Sequence, residues 1–281
     1  MKDIATKSTT QYILDKYDLY PKKKYGQNFL IDPHVVEKIV RCSSVNEKCA
    51  VIEVGPGIGA LTQVLARYAG YVRSYEIDTR FKGVYEEFLN QENIEIVFED
   101  FLKVNLEDLM TLKDKYEKVI LVANLPYYIT SPIIMMLLEN ELPIDEIVVM
   151  VQKEAGERLC AEVGTRQAGA VSVAVNFYAS GEILFDVPRE SFMPSPKVDS
   201  VVIKLVLNDE DKYQIENKKK FFSLVKCAFA QRRKTALNSI SNTMGVSKQK
   251  ITEIFNELGL EINIRPEKLT MQNLIDITDR L

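Results

Sequence analysis

The sequence contains no tryptophan, a single histidine and only four cysteines among its 281 residues. Cys42, Cys49, Cys160 and Cys227 form no Cys-x-x-Cys pair, so their spacing favours neither a zinc site nor a disulfide framework. With only His34 available, a histidine-based metal site and a Ser-His-Asp relay are both disfavoured. We therefore expect reduced thiols and no metal, and we place His34 in the first turn of a helix.

Long apolar runs are missing as well. No stretch approaches the roughly 20 apolar residues that cross a bilayer, and the amino terminus has no apolar signal-peptide segment. We therefore expect a cytoplasmic protein that makes no membrane contact. The hydrophobic content of 46% is ordinary for a globular chain, and the length predicts one large and one small domain.

Positive charge is scarce overall but is unevenly distributed. The net charge of -4 argues against a protein that is uniformly coated with basic residues. Residues 201–281 contain 14 Lys and Arg against 10 Asp and Glu, a net charge of +4, which leaves 22 against 30, or -8, for the rest. The carboxy-terminal part is therefore the basic part of the chain.

Between residues 48 and 151, apolar runs alternate with segments of helical period, which predicts a parallel sheet with crossover helices. Strands are predicted at 50–54, 71–77, 94–98, 118–122 and 146–151. Helices are predicted at 60–68, 79–90 and 131–139, the last with Ser131 as its cap and Pro132 in the first helical position. Residues 181–187 and 199–207, joined by the proline-rich loop 188–196, are expected to be antiparallel edge strands.

The composition changes after residue 207. A polar linker at 208–211 is followed by helical patterns from residue 217, so we expect a larger domain over 1–207 and a smaller all-helical domain over 208–281. Two basic segments contain no acidic residue, and each is either a nucleic-acid contact or simply a solvated cationic surface. Their members are Lys22, Lys23 and Lys24, before a helix capped by Asp32, and Lys218, Lys219, Lys220, Arg232, Arg233 and Lys234.

Glycines and carboxylates follow the first three predicted strands. Gly55 and Gly57 lie between the first strand and the first crossover helix, where glycine lets the backbone approach a ligand, although a tight turn is the alternative interpretation. Glu76 ends the second strand and could accept hydrogen bonds from both ribose hydroxyls of a nucleoside. Asp100 follows the third strand and could accept from an adenine amino group.

The fourth strand is followed by Asn-Leu-Pro-Tyr. The side-chain oxygen of Asn124 and the carbonyl oxygen of Leu125 could both accept from an exocyclic base amine, which directs the lone pair of that nitrogen outward. Pro126 fixes the backbone, and Tyr127 could stack on an extruded base. Phe192 could cover the other face of the base, or it could be a hydrophobic plug beneath the proline loop.

Six motifs in order resemble the bacterial 16S ribosomal RNA adenine dimethyltransferases, and the resemblance covers nearly the whole chain. They are Tyr-Gly-Gln-Asn-Phe-Leu at 25–30, Glu-Val-Gly-Pro-Gly-Ile-Gly at 53–59, Asn-Leu-Pro-Tyr-Tyr at 124–128, Val-Gln-Lys-Glu at 151–154, Phe-Met-Pro-Ser-Pro-Lys-Val-Asp at 192–199 and Phe-Ala-Gln-Arg-Arg-Lys at 229–234. Two departures are Tyr128, where the family often has Asn, and Ala-Gly-Ala-Val-Ser at 168–172, where an aromatic-Gly-x-Leu-Ser run is more usual.

The resemblance implies an α/β fold with a Rossmann-like methyltransferase sheet and a helical carboxy-terminal domain that helps to dock rRNA. It implies S-adenosylmethionine-dependent dimethylation of two adjacent adenosines in the 3′-terminal hairpin of 16S rRNA, by a monomer acting on a small-subunit assembly particle. Asn124, Leu125, Pro126, Tyr127 and Phe192 would form the pocket for the target base. The cofactor site would comprise Asn28, Leu30, Gly55, Gly57, Glu76, Asp100 and Asn124.

Three other interpretations remain at the level of sequence. A related methyltransferase that modifies 23S rRNA and confers macrolide resistance resembles this chain through the sheet, but the segments at 192–199 and 231–234 favour the small-subunit enzyme. A non-catalytic ribosome-assembly factor on the same fold is disfavoured by the intact Glu76 and Asn124. A nicotinamide-dependent oxidoreductase would explain the glycine motif and Glu76, but it has no particular use for Asn124.

Overall fold

The structure is a computed structural model that describes residues 2–22, 26–208, 212–231 and 233–281. Lys23, Lys24 and Arg232, which the sequence analysis assigned to RNA contact, lie outside the described residues. The chain forms two compact units. The first comprises residues 1–156 and 182–207, and the second comprises residues 157–181 and 208–281.

The elements of the first unit alternate as the sequence predicts. In chain order they are α1 (Lys7–Lys16), β1 (Phe29–Leu30), α2 (Pro33–Cys42), β2 (Cys49–Val54), α3 (Ala60–Tyr68), β3 (Tyr71–Tyr75), α4 (Lys82–Phe88), β4 (Ile94–Val97), α5 (Leu106–Met110), β5 (Lys118–Asn124), α6 (Thr130–Glu139) and β6 (Glu146–Gln152). They are followed by α7 (Lys153–Leu159), α8 (Ala170–Tyr178), β7 (Ala179–Val187), β8 (Phe192–Met193) and β9 (Ser200–Leu207). Of these, α8 belongs to the second unit, and α7 and β7 each contain residues of both units.

Seven of these strands form one sheet in the order β4-β3-β2-β5-β6-β9-β7. Strands β4, β3, β2, β5 and β6 run parallel to one another, and β9 pairs with β6 in the antiparallel direction. All six residues of β2 are buried, as expected for a central strand that is covered on both faces. The predicted α/β class is confirmed, and so is the antiparallel direction of β9. Because β2, β3, β4 and β5 run the same way, the residues that follow them meet at one edge of the sheet.

Several predicted boundaries differ from the structure. Helix α6 begins at Thr130 with Ile129 before it and no side-chain cap, so the prediction that Ser131 caps this helix is wrong. The chain already turns earlier, because Ile129 N and Thr130 Oγ1 both donate to Pro126 O, at 3.1 and 3.3 Å. The predicted helix at 79–90 is a 3-10 turn over Thr79–Phe81 followed by the shorter α4.

Helix α2 begins as predicted. Asp32 Oδ1 accepts from His34 N and Val35 N, at 3.0 and 3.4 Å, and Pro33 occupies the first helical position. His34 therefore lies in the first turn, where it is exposed. A short antiparallel ribbon, β1 with β8, was not predicted; it pairs Phe29 with Met193 and Leu30 with Phe192.

In the described part of the second unit, α8 is followed by the helices α9 (Lys218–Phe229), α10 (Ala236–Met244), α11 (Lys248–Glu257) and α12 (Met271–Arg280). Phe177 of α8 packs against Phe221 and Phe222 of α9, with ring centroids 5.9 and 5.3 Å apart. Asn208 N donates to the carbonyl of Tyr178 at 2.9 Å. The prediction placed residues 157–181 in the first domain, whereas these contacts group them with residues 208–281.

Within the described part of the chain, no helix is both long and apolar enough to cross a membrane.

Candidate functional site

A cavity of about 350 Å³ opens at the carboxyl ends of the central strands of the first unit. Residues from the amino-terminal segment, the glycine loop and the ends of β3, β4 and β5 line it. It brings together most of the predicted site residues, although these positions are separated by up to about 100 residues in sequence. Those present are Asn28, Leu30, Gly55, Gly57, Glu76, Asp100, Asn124, Leu125, Pro126 and Tyr127.

The glycine loop joins β2 to α3 through left-handed backbone conformations. Gly55, Gly57 and Gly59 have φ angles of +71°, +59° and +89°, which side chains rarely tolerate. A Cβ atom on Gly59 would lie 2.8 Å from Leu89 Cδ1, so this position also has no room for a side chain. A Cβ atom on Gly57 would reach Phe29 at an ordinary 3.5 Å. The loop is therefore a tight turn, and Gly55 and Gly57 also expose backbone atoms to the cavity.

Glu76 follows β3 and is 5% exposed. Its Oε2 accepts from Gly57 N at 3.1 Å, and its Oε1 accepts from Asp78 N at 2.8 Å. Each carboxylate oxygen can accept more than one hydrogen bond, so both remain able to bind ligand hydroxyls. Burial raises the pKa of Glu76 to about 7, and the backbone N–H donors of Asp78 and Gly57 oppose that rise. The carboxylate is therefore oriented before any ligand arrives.

A second buried carboxyl, Glu53, also lines the cavity, and the sequence analysis gave it no role. It lies in β2, is 1% exposed, and accepts through Oε2 from Thr62 Oγ1 at 2.6 Å and Ser74 Oγ at 2.7 Å. Burial raises its pKa to about 7. An acidic residue inside an otherwise apolar strand was the sequence signal that could have identified it.

Asp100 and Asn28 approach the cavity from two other elements. Asp100 Oδ1 accepts from Leu102 N at 3.1 Å and so caps a short 3-10 turn after β4. Asn28 Nδ2 donates to Gly26 O at 3.1 Å in the segment before β1. Apolar side chains of Ile77 and Leu102 complete the wall near Asp100. The arrangement offers polar groups around an apolar slot, the usual composition of a small-ligand site.

Asn124 is the last residue of β5, two residues beyond the predicted end of that strand. It is half-buried and lines the cavity, and within the described part of the chain its amide makes no hydrogen bond to protein. Leu125 N donates to Met150 O at 3.1 Å, which anchors the turn that follows. Tyr127 is half-buried beside it, with its hydroxyl 3.4 Å from Ser200 Oγ.

Phe192, which the sequence analysis assigned to the target-base pocket, lies in the hydrophobic core. Its side chain is 3% exposed, belongs to the hydrophobic core and does not line the cavity. The reason is the β1–β8 ribbon, which pairs Phe192 with Leu30 and turns this part of the proline-rich segment into core. The alternative weighed for Phe192, a hydrophobic plug, describes its position in this structure.

Lys22 is held by an interaction that the sequence did not reveal. Its Nζ lies 3.7 Å from Oδ1 of Asp78, which is 3% exposed. Asp78 also accepts from Gln27 Nε2 at 3.2 Å and from Arg80 Nη2 at 2.6 Å. Hydrogen bonds from Arg80 and Gln27 lower the pKa of Asp78 to about 2 despite its burial. Lys22 therefore helps to fasten the amino-terminal segment to the end of β3.

The other described residues that the sequence analysis assigned to RNA contact lie in the second unit. Lys219 is exposed in the first turn of α9, with Lys218 and Lys220 half-buried on either side, and Arg233 and Lys234 are exposed beyond the helix. The Nζ of Lys218 lies 5.8 Å from the centroid of the Phe177 ring. Among the residues that the structure describes, no cluster of His, Cys, Asp and Glu has metal-binding geometry.

Comparison with known proteins gives consistent results. The model of the ribosomal RNA adenine dimethylase family matches residues 20–281. The chain is 44% identical over 278 residues to the ribosomal RNA small subunit methyltransferase A of Staphylococcus aureus strain Newman, covering 97% of this chain and 93% of that protein.

Two solved structures are similar over most of their length, each at 25% identity. A dimethyladenosine transferase from Plasmodium falciparum superposes with a TM-score of 0.69, covering 88% of this chain and 95% of that one. The 23S rRNA methyltransferase ErmE superposes with a TM-score of 0.65, covering 90% and 99%.

Proposed function

The chain belongs to the ribosomal RNA adenine dimethylase family, and we propose that it uses S-adenosylmethionine to dimethylate the N6 amines of two adjacent adenosines in the 3′-terminal hairpin of 16S rRNA. The substrate we propose is a small-subunit assembly particle. The observation that carries the proposal is the position of Asn124, which shares one cavity with Glu76 and the glycine loop.

The cavity residues fit the proposed cofactor in their chemistry. Both oxygens of Glu76 already accept backbone N–H groups and can accept ribose hydroxyls as well. Asp100 can accept from an adenine amino group, and Ile77 and Leu102 offer apolar surface to the ring. Gly55 and Gly57 have no side chain, so the backbone of the loop could approach the methionine part of the cofactor. The cofactor supplies a methyl group on a sulfonium, an electrophile that needs no metal and no strong base.

The protein's own contribution to the reaction is orientation. The amide oxygen of Asn124 and the carbonyl oxygen of Leu125 accept the two hydrogens of the adenine amine, so the nitrogen lone pair points away from them and toward the electrophile. Asn124 is neutral and cannot take a proton, so the proton leaves to solvent once the new bond has formed. Tyr127, beside Asn124, stacks on the extruded base and holds it against these acceptors.

The same site serves the second methylation, because a monomethylated amine still carries one hydrogen and a lone pair. One of the two acceptor oxygens then loses its partner, so the acceptors hold the amine less tightly in the second transfer than in the first. The small-subunit assignment is supported by the 44% identity to a small-subunit methyltransferase. Similarity to a 23S rRNA methyltransferase keeps large-subunit rRNA as the alternative that an experiment must separate.

Contact with rRNA is proposed for the exposed basic residues of the second unit, Lys219, Arg233 and Lys234, together with Lys218 and Lys220. Cationic side chains on phosphates supply most of the affinity in such complexes and make it sensitive to salt. Lys22 is left out of this set because its ammonium lies against Asp78. Phe192 is likewise left out of the proposed base pocket because it is in the core.

The proposal is tested by incubating the protein with labelled S-adenosylmethionine and, separately, with small and large subunits that lack adenine dimethylation, and then mapping the label. We expect N6,N6-dimethyladenosine at two neighbouring positions near the 3′ end of 16S rRNA and no label in large subunits. Label on 23S rRNA alone would replace the small-subunit assignment by the alternative. The absence of label from both would contradict the proposed substrates.

A further inference from the structure

Two consecutive tyrosines follow the turn after β5, and they differ in their surroundings. Tyr127 is half-buried, and its hydroxyl lies near Ser200. Tyr128 also lines the cavity, but 56% of its side chain is exposed. A large aromatic residue that lines a cavity and is also mostly in solvent lies at the mouth of that cavity. The chain therefore presents one aromatic ring inside the site and another at its entrance.

The position of Tyr128 is set by its neighbours rather than by burial in the core. Its ring carbons Cδ1 and Cε1 lie 3.8 Å from where a Cβ atom would stand on Gly26, which also lines the cavity. Gly26 has no side chain, so the ring lies against backbone at this position. Tyr128 is 56% exposed, so its ring presents surface to solvent at this point.

We propose that Tyr128 is a binding residue that stacks on the nucleotide next to the target adenosine. An exposed aromatic ring can stack on any base, because every base has a π-face. Extruding one nucleotide into the site also unstacks its neighbour, which then needs a new surface. Tyr128 provides such a surface directly beside Tyr127, and the proposed substrate contains two adjacent adenosines. When the second adenosine enters the site, the first adenosine becomes the neighbouring nucleotide, and its base can stack on the Tyr128 ring. The inference rests on the proposed function, in which the substrate is RNA.

Three variants of the full chain separate stacking from other roles. Tyr128→Ala removes the ring, Tyr128→Phe keeps the ring and removes the hydroxyl, and Tyr12→Ala removes an exposed tyrosine of α1 that does not line the cavity. The measurements are KM and kcat for small subunits lacking adenine dimethylation, the Kd of S-adenosylhomocysteine, and the melting temperature.

We expect Tyr128→Ala to raise KM for the subunits about tenfold, the scale on which the loss of one base–aromatic stack acts. Tyr128→Phe should stay within about twofold of the wild type, because the ring carries the interaction. Tyr12→Ala should match the wild type, and all three should keep the wild-type Kd for S-adenosylhomocysteine and the wild-type melting temperature.

Two results would overturn the inference while leaving the proposed function in place. One is an active wild type with an unchanged KM in Tyr128→Ala. The other is a Tyr128→Phe variant as impaired as Tyr128→Ala, which would assign the effect to the hydroxyl. A wild-type protein that methylates neither adenosine of the small subunit would contradict the proposed function itself, and this inference with it.

Discussion

At the scale of single residues, the cavity combines a neutral amide with buried carboxyl groups, and their protonation states have different consequences. Asn124 cannot ionise, so its ability to accept from an amine does not change with pH. Glu76 and Glu53 are both buried in the same cavity, and burial raises each pKa to about 7. The proposed cofactor end of the cavity is therefore sensitive to pH near neutrality, whereas the amide proposed to hold the target base is not.

Binding of S-adenosylhomocysteine should strengthen as pH rises from about 6 to about 8. The ionised form of Glu76 is the better acceptor for ribose hydroxyls, and the raised pKa means that the free protein is partly protonated in this range. Ionising this buried carboxyl costs stability as pH rises through about 7, and bound hydroxyls offset that cost. Calorimetric titration across this range measures the effect. The same pH dependence in Glu76→Gln would contradict the assignment to Glu76.

Substitution of Gly59 should destabilise the first unit more than substitution of Gly57. Both glycines have positive φ, so Ala at either position costs about 1–3 kcal/mol in backbone strain. Only Gly59→Ala also forces a Cβ atom to within 2.8 Å of Leu89, and such overpacking typically adds about 1–3 kcal/mol. Urea denaturation of the two variants gives the comparison. Equal losses in free energy of unfolding would show that Leu89 moves without cost.

At the scale of elements, the wall of the cavity depends on a segment that has little regular structure. Residues 26–30 contain only the two-residue strand β1, yet all five of these residues line the cavity. They are fastened on one side by β8 and on the other by Asp78, which contacts Gln27, Arg80 and Lys22. Arg80 also donates to the carbonyl of Tyr20 at 3.4 Å. Asp78 thus connects the amino-terminal segment to the end of β3.

Asp78→Ala should weaken binding of S-adenosylhomocysteine by about tenfold, because the wall loses several hydrogen bonds, each contributing about 1 kcal/mol. Asp78→Asn is the matched control, since its amide oxygen still accepts from Gln27 and its loss should be smaller. The pKa of Asp78, about 2, keeps the wild-type carboxylate ionised above pH 4. Because the charge of Asp78 also raises the pKa of Glu76, the three proteins are compared at pH 8, where Glu76 is mostly ionised. An unchanged Kd in Asp78→Ala would remove this residue from the support of the cavity.

The sequence predicted these elements unevenly, for physical reasons. The central strands were found because continuous apolar runs between helical patterns have few alternatives, and Glu76, Asp100 and Asn124 were found because they end such runs. The β1–β8 ribbon was missed because it joins two-residue strands more than 160 residues apart, which leaves no local pattern. For the same reason the sequence did not show that Phe192 packs in the core, or that Asp78 is the partner of Lys22.

At the scale of the whole molecule, charge divides along the chain. Residues 201–281 carry a net +4, while the rest of the sequence carries -8. A protein with overall negative charge can bind RNA when its basic side chains are concentrated in one part. Helix α9 illustrates the concentration, because no acidic residue occurs between Lys218 and Lys234.

Replacing Lys218, Lys219 and Lys220 by Gln should weaken binding to small subunits and lower the slope of log K against log salt by about 2, since each phosphate contact contributes about 0.7–0.9 to that slope. Methyl transfer at saturating subunit concentration should be nearly unchanged, because these lysines do not line the cavity. Lys115→Gln, an exposed lysine of the first unit, serves as the control. A triple variant with the wild-type salt slope would place the phosphate contacts elsewhere.

The central claim is that Asn124 orients the reacting amine, and single-turnover methyl transfer by Asn124→Ala tests it most directly. The control is Asn140→Ala, which alters an exposed asparagine at the end of α6. We predict that Asn124→Ala lowers the single-turnover rate by at least about 100-fold, the cost of misplacing a reacting group. Its Kd for small subunits should remain at the wild-type value, and Asn140→Ala should behave as wild type throughout. A single-turnover rate in Asn124→Ala close to that of the wild type would contradict the account.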